Sequence, residues 1–169
     1  EKKQPERTDD SPYKAPTAEF FEGVVPEHLE EVEDDRVLRG AEHHAWFHLL
    51  AILKRTDQQR LREASQGRIG FVQLFEQSKT YRGKLVTVRG TVHRTKWVEA
   101  KVNDYGIDGY FICWLQPAGG PNSPIVVYSF RLPSGFPQGQ ELRTSASFTG
   151  FYFKRMAYAA QDGARTAPL

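Results

Sequence analysis

The stretch that decides the fold is YRGKLVTVRGTVHRT, from Tyr81 to Thr95. Val86, Val88 and Val92 alternate with polar residues, which is the two-residue period of a strand with one buried face. Gly90 interrupts this alternation and suits a bulge or a sharp bend. The pattern predicts a long, curved first strand over residues 84–98.

Further apolar runs, separated by turn-rich segments, predict four more strands. Strands two, three and four are predicted at GYFICWLQ (109–116), IVVYSF (125–130) and residues 142–160. Gly150 is a second candidate bend, and a turn at Asp162–Gly163 leads to a short final strand. Five strands joined in this way indicate a small antiparallel barrel.

The first half of the chain has a helical period instead. Trp46, Leu49, Leu50 and Leu53 form one apolar stripe in a helix predicted from Gly40 to Ala64. A second short helix is predicted at GFVQLFEQS (70–78). Pro26 is well placed to begin a short acidic helix, with a solvated face, over EHLEEVEDD (27–35).

These elements divide the chain into three parts. Residues 1–18 are polar and proline-bearing, which predicts a flexible arm. Residues 19–78 form a helical N-terminal section, and residues 79–169 form the barrel. The predicted fold class is α+β, with N-terminal helices packed on a five-stranded antiparallel barrel.

The barrel strands resemble a known fold family. YRGKLVTVRGTV (81–92) resembles the first strand of OB-fold domains, and GQELRTSASFTGFYFKR (139–155) resembles their later strand. The resemblance implies an OB-like barrel. RLPSGFPQG departs from the pattern because no helix fits between strands three and four, so the 70–78 helix is expected to plug the barrel end. The wider pattern also resembles uncharacterised bacterial envelope-associated proteins, which implies an extracytoplasmic or membrane-tethered location.

Charge is distributed unevenly along the sequence. Residues 1–40 carry 12 Asp/Glu and 6 Lys/Arg, whereas residues 41–169 carry 9 and 17. The acidic part favours a basic partner, and the basic part an anionic one, unless the two neutralise each other. The apolar run AWFHLLAIL (45–53) is far shorter than the roughly 20 residues of a membrane span.

Basic and aromatic residues interleave around the first three strands, as in a binding face for single-stranded nucleic acid. The candidate ligand-binding residues are Arg94, Lys96, Trp97, Tyr110, Trp114 and Tyr128. Strands two and three are apolar on both faces, however, which is typical of a sheet covered on both sides. The apolar helix stripe is therefore expected to cover this outer face, unless the face is an open aromatic platform.

Other candidate sites are weak. His44 and His48 share a helix face, but HHAWFH lacks the glutamate of an HExxH motif. A metal would need a third ligand, such as His28 or an acid from 30–35; a solvated histidine pair is the alternative. Cys113, the single cysteine, lies mid-strand, where a thiol is usually inert.

The sequence therefore predicts a non-enzymatic interaction module with no cofactor and no metal, whose partner is a protein. The alternatives are a single-stranded nucleic-acid-binding OB-fold and a metal-dependent enzyme at His44 and His48. An interaction module requires an exposed apolar patch or an unpaired strand edge. The short final strand is expected to leave such an edge.

Overall fold

The computed structural model describes residues 17–160 and 163–169, so the predicted arm lies outside the described residues except for Thr17 and Ala18. Two 3-10 turns, Pro26–Leu29 and Gly40–Glu42, precede the helices. The helices are α1 (His43–Arg55), α2 (Gln58–Ala64), α3 (Phe71–Glu76) and α4 (Ser78–Tyr81). None of the described helices is long and apolar enough to cross a membrane.

The prediction of one helix from Gly40 to Ala64 is wrong. Thr56 adopts an extended backbone after α1, and Asp57 starts a new helix. The Asp57 carboxylate accepts hydrogen bonds from the backbone N–H groups of Gln59 (2.8 Å) and Arg60 (3.4 Å). Such an N-cap satisfies donors that a helix start would leave unpaired, so the break is stabilised locally.

Four strands form one curled antiparallel sheet in the order β3-β2-β1-β4. They are β1 (Leu85–Glu99), β2 (Gly109–Pro117), β3 (Ile125–Ser129) and β4 (Thr144–Phe151). β1 pairs with β4 through its first half and with β2 from Gly90 onward. A Cβ on Gly90 would lie 1.9 Å from the carbonyl oxygen of Gln116, so glycine is required where β1 passes from one partner to the other.

The predicted fourth strand is divided in two. β4 ends at Phe151, and β5 (Arg155–Ala160) forms a separate two-stranded sheet with β6 (Gly163–Pro168). The Tyr152 N–H donates to Lys84 O beside β1, whereas the Phe153 N–H donates to Leu169 O beside β6. The change of partner therefore falls just after Phe151 and not at Gly150.

The architecture is thus a curled four-stranded half-barrel with a separate hairpin, together with four helices. It differs from the single five-stranded barrel predicted, because β5 and β6 pair with each other and not with the larger sheet. Within the described residues, β3 and β4 each have a hydrogen-bonded strand partner on one side only.

Each face of the sheet carries its own apolar core. On the concave face, Val92, Cys113 and Leu115 pack with Phe71 and Leu74 of α3, so α3 fills the space inside the half-barrel. On the other face, α1 packs its apolar stripe against strands β2 and β3. This second core includes Trp46, Leu49, Leu50, Tyr110, Val126 and Phe153.

The acidic segment is helical only in the 3-10 turn Pro26–Leu29, and most of its carboxylates are exposed, as predicted. Asp34 in this segment, and Glu42 further along the chain, are instead held to the body by ion pairs. Glu42 and Lys154 are both fully buried, with Nζ–O distances of 2.8 and 3.0 Å. Asp34 accepts from Arg82 (2.8 Å) and from the Ser78 hydroxyl (2.7 Å). Burial favours a raised pKa for Asp34, but its hydrogen bonds and the Arg82 charge hold the pKa below the usual range.

Candidate functional site: a groove between two strand edges

An open groove of about 1510 Å³ lies between the edges of β3 and β4, on the side where the half-barrel is not closed. Its walls come from both strands, from α1 and α2, and from the C-terminal residue Leu169. Ile125, Val127 and Ser129 line it from β3, and Ser145, Ser147 and Thr149 from β4. The groove therefore exists because the sheet curls without closing.

The lining of the groove is largely apolar. Leu53 contributes an accessible side chain from α1, whereas Leu49 and Leu50 of α1 and Val86 and Val88 of β1 lie in the groove wall but are already buried in the core. The concave face of β4 adds further apolar groups, Ala146 and Phe148, which pack against the core inside the half-barrel. Such a surface favours an apolar side chain over water at roughly 25 cal/mol per Å² buried.

The backbone hydrogen bonds of the β5–β6 hairpin continue beyond β6 to the edge of the groove. Leu169 donates its N–H to Lys154 O (2.9 Å) and accepts from the Phe153 N–H (2.8 Å). The line of β6 thus reaches the point where β4 begins its unpaired edge. A free strand edge presents alternating N–H and C=O groups that another strand can pair with.

Basic side chains outnumber acidic ones around the groove. Lys54, Arg55, Arg62 and Arg131 line it, with Asp57 the one acidic side chain on the described lining. All five of these residues are exposed. A groove with one sign of excess charge attracts ligands of the opposite sign, and this attraction weakens as salt is added.

The six candidate ligand-binding residues do not share one face of the sheet. Arg94 pairs with Trp114 and Lys96 with Ile112 across β1 and β2, so these residues lie on the α1 side. Trp97 pairs with Phe111, on the opposite face, where its ring lies 5.0 Å from that of Phe111.

Helix α1 covers part of the expected aromatic platform. The Trp46 ring lies 4.8 Å from the Tyr128 ring and 6.2 Å from the Tyr110 ring, in edge-to-face geometry. Burial, with a smaller effect of Tyr110, raises the pKa of Tyr128 to about 12. Tyr110 is thus buried in the core of this face, as the covered-face interpretation predicts. Tyr128 is partly buried against that core and also lines the β3–β4 groove.

The remaining candidates stay accessible. The Arg94 guanidinium lies 4.6 Å from the centre of the Trp114 ring, and both Arg94 and Lys96 are exposed. Trp97 is 47% exposed, which makes it one of the few large apolar side chains at the surface. Arg94 and Lys96 thus lie with Trp114 on the α1 side, whereas Trp97 lies on the opposite face. None of these four residues lines the β3–β4 groove.

The structure brings His28, His44 and His48 together. The Nε2 atoms of His28 and His44 are 3.4 Å apart, and His48 Nε2 accepts from the Val25 N–H at 3.4 Å. No group of three His, Cys, Asp or Glu residues within 17–160 and 163–169 has the geometry to hold a metal ion. His48 is half-buried, so the solvated-pair interpretation holds for exposed His44 only.

Comparison with known proteins gives no match: no family model, curated protein or solved structure is significantly similar to this chain. The site must therefore be interpreted from its geometry. The sequence predicts an unpaired edge, but its basic and aromatic residues place the ligand on strands two and three. One signal for the groove was available, since RLPSGFPQG between β3 and β4 is too short and proline-rich for a helix that would fill the gap.

Proposed function

We propose that this protein is a non-enzymatic interaction module that binds a protein partner through the β3–β4 groove. The observation that carries the proposal is the position of two unpaired strand edges on either side of one apolar groove. Strand edges supply backbone hydrogen bonds, and an apolar groove supplies burial. These are the two contributions that peptide-binding domains combine when they add a strand to a sheet.

We also propose that the half-barrel is an OB-like barrel with one open side. The pairing of β1 with both β2 and β4, together with the glycine at the change of partner, supports this assignment. A fifth strand between β3 and β4 would complete such a barrel. In this view the open side is where the partner binds.

The proposal is tested by photo-crosslinking from two positions in the full chain. A photoreactive amino acid replaces Ser147, which is exposed on β4 and lines the groove. The matched control replaces Lys96, which is exposed on β1 outside the groove. In an extract of source cells we expect a discrete protein adduct from position 147 and none from position 96. Equal labelling at both positions, or none at either, would overturn the proposal.

Single-stranded nucleic-acid binding is the second candidate. The stacking of Arg94 on Trp114 and the exposure of Lys96 and Trp97 favour it. Titration of a labelled single-stranded oligonucleotide tests it, with fluorescence anisotropy and tryptophan emission as readouts. Saturable binding with quenched emission, lost at moderate salt and in Arg94→Ala, supports nucleic-acid binding. An unchanged anisotropy at low salt excludes it.

A further inference from the structure

We propose that the partner binds as a single extended strand between β3 and β4, antiparallel to β4, and that this segment alternates apolar with polar residues and is acidic. This inference rests on the proposed function and adds the chemistry and polarity of the bound segment. The polarity follows from the backbone pairing, the apolar alternation from the groove lining, and the acidic character from the charge around the groove.

The polarity follows from the existing ladders. β6 runs antiparallel to β5, and the Leu169 hydrogen bonds extend this pairing to the end of β4. A strand collinear with β6 would therefore lie antiparallel to β4. β3 and β1 both pair antiparallel with β2, and β4 pairs antiparallel with β1, so the same strand would lie parallel to β3. A strand in this position would have β4 on one side and β3 on the other, and pairing with both edges is what the proposal requires.

The apolar alternation follows from the two sides of the groove. Side chains of a strand point alternately to opposite faces. On the inner face an added strand would meet Val127 of β3 and Phe148 of β4, which pack against the concave core. Apolar residues are therefore favoured at every second position. The positions between them face the α1 side, where the lining includes Leu53 and the basic side chains of Lys54 and Arg55. β3 has five residues and β4 has eight, so the bound segment spans about five to eight residues.

The acidic character follows from the charges around the groove. Four Lys or Arg side chains line it against the single Asp57 of the described lining. Arg62 on α2 and Arg131 after β3 come from different elements, so the positive charge is not confined to one of them. A segment with Asp or Glu at its outward positions would be attracted, whereas a basic segment would be repelled.

The test uses an octapeptide library with Val, Ile, Leu or Phe at alternate positions and all residues elsewhere, displayed against the full chain. We expect enriched peptides to carry a net negative charge. The tightest one is then synthesised with N-methyl groups on its odd or its even amides. A strand paired on both edges loses about tenfold or more in affinity with either set, whereas a strand paired on one edge is sensitive to one set only.

Charge variants provide the matched control. Arg62→Glu/Arg131→Glu should weaken the selected peptide on the order of tenfold at low salt, whereas Lys101→Glu, an exposed charge outside the groove, should leave the affinity unchanged. Circular dichroism checks that each variant is folded. Enrichment of neutral or basic peptides, or equal effects of the two charge changes, would overturn the acidic assignment.

Two further results would overturn the strand insertion itself. One is a selected peptide that loses affinity with neither set of N-methyl groups, or with one set only, because it is then not paired with both edges. The other is concentration-dependent dimerisation by analytical ultracentrifugation that the selected peptide does not reverse, because the groove is then occupied by a second copy. If crosslinking at position 147 still captures a discrete protein, the interaction function stands and only the strand inference fails.

Discussion

The ammonium group of Lys154 lies 2.8 and 3.0 Å from the two carboxylate oxygens of Glu42, and neither side chain is exposed to solvent. Glu42 also accepts backbone hydrogen bonds from Glu33 and Arg39, each at 2.9 Å. The pair therefore joins the acidic segment before α1 to the bend between β4 and β5. Its position explains why β4 ends where it does, since Lys154 is held at the point where the strand changes partner.

Replacing Lys154 by Met is expected to destabilise the protein by about 3–5 kcal/mol, because it leaves a buried carboxylate without its counter-ion. Glu42→Gln/Lys154→Met should recover part of this loss, since no uncompensated charge then remains. Urea denaturation of the single and double variants measures the difference.

Arg36→Met is the control: the Arg36–Glu33 pair is exposed, so its loss should change the free energy of unfolding by less than about 1 kcal/mol. Equal effects of Lys154→Met and Arg36→Met would contradict the buried pair.

The two glycines of the predicted bends should respond differently to the same substitution. Gly90→Ala places a methyl group against the Gln116 carbonyl and should cost about 1–3 kcal/mol or more. Gly150→Ala meets no atom within 4 Å and should lie within about 1 kcal/mol of the wild type. Chemical denaturation of both variants provides the measurement. A cost for Gly90→Ala as small as that for Gly150→Ala would show that β1 and β2 do not approach as closely as described.

These contrasts show how far the sequence predicts the fold. The alternation in β1 and the continuous apolar runs of β2 and β3 depend on local burial, so those strands could be placed closely from the sequence. Helix α1 was recognised from its stripe, but its end at Thr56 was missed although Asp57 carries a capping signal. The division of β4 from β5 depends on Glu42 and Lys154, which are 112 residues apart. No local pattern encodes such a contact.

The candidate site was harder to predict for the same reason. Tyr110, Trp114 and Tyr128 look alike in the sequence, yet helix α1 buries Tyr110 and packs on Tyr128 while Trp114 keeps a stacked Arg94. The groove depends on which strand edges remain unpaired. That is a property of the whole sheet, so the unpaired edge could be expected in general terms but not placed between β3 and β4.

Stability should fall as the pH drops below 6.5 because of His48. Burial, followed by the charges of His28, His44 and Arg55, lowers the pKa of His48 below its usual 6.5, although a backbone hydrogen bond acts in the opposite direction. As the pH falls, the His48 side chain is therefore protonated at a higher pH in the unfolded chain than in the folded protein. The contribution of His48 to the free energy of unfolding is complete above about pH 6.5 and is lost as the pH falls through the folded-state pKa. For one proton the slope is at most about 1.4 kcal/mol per pH unit.

Denaturation curves between about pH 7.5 and pH 5 test this expectation on wild type and His48→Gln. The variant lacks the titrating ring, so its free energy of unfolding should fall less over this range. His93→Gln is the control, because His93 is exposed on β1 away from the histidine cluster and should keep the wild-type slope. Parallel curves for wild type and His48→Gln would show that His48 titrates alike in the folded and unfolded states.

The thiol of Cys113 should react only when the protein opens. Cys113 is fully buried, and burial raises its pKa to about 11, so both access and the reactive thiolate are limited in the folded state. At about pH 8 we expect negligible reaction with a disulfide reagent in the native protein and complete reaction of the single thiol in denaturant. Because Lys154→Met lowers the free energy of opening, it should accelerate labelling of the native protein, whereas Arg36→Met should not. Rapid labelling of the wild type, or equal labelling rates in the two variants, would contradict this expectation. Either result would mean that solvent reaches Cys113 in the concave core without the unfolding that the Glu42–Lys154 pair opposes.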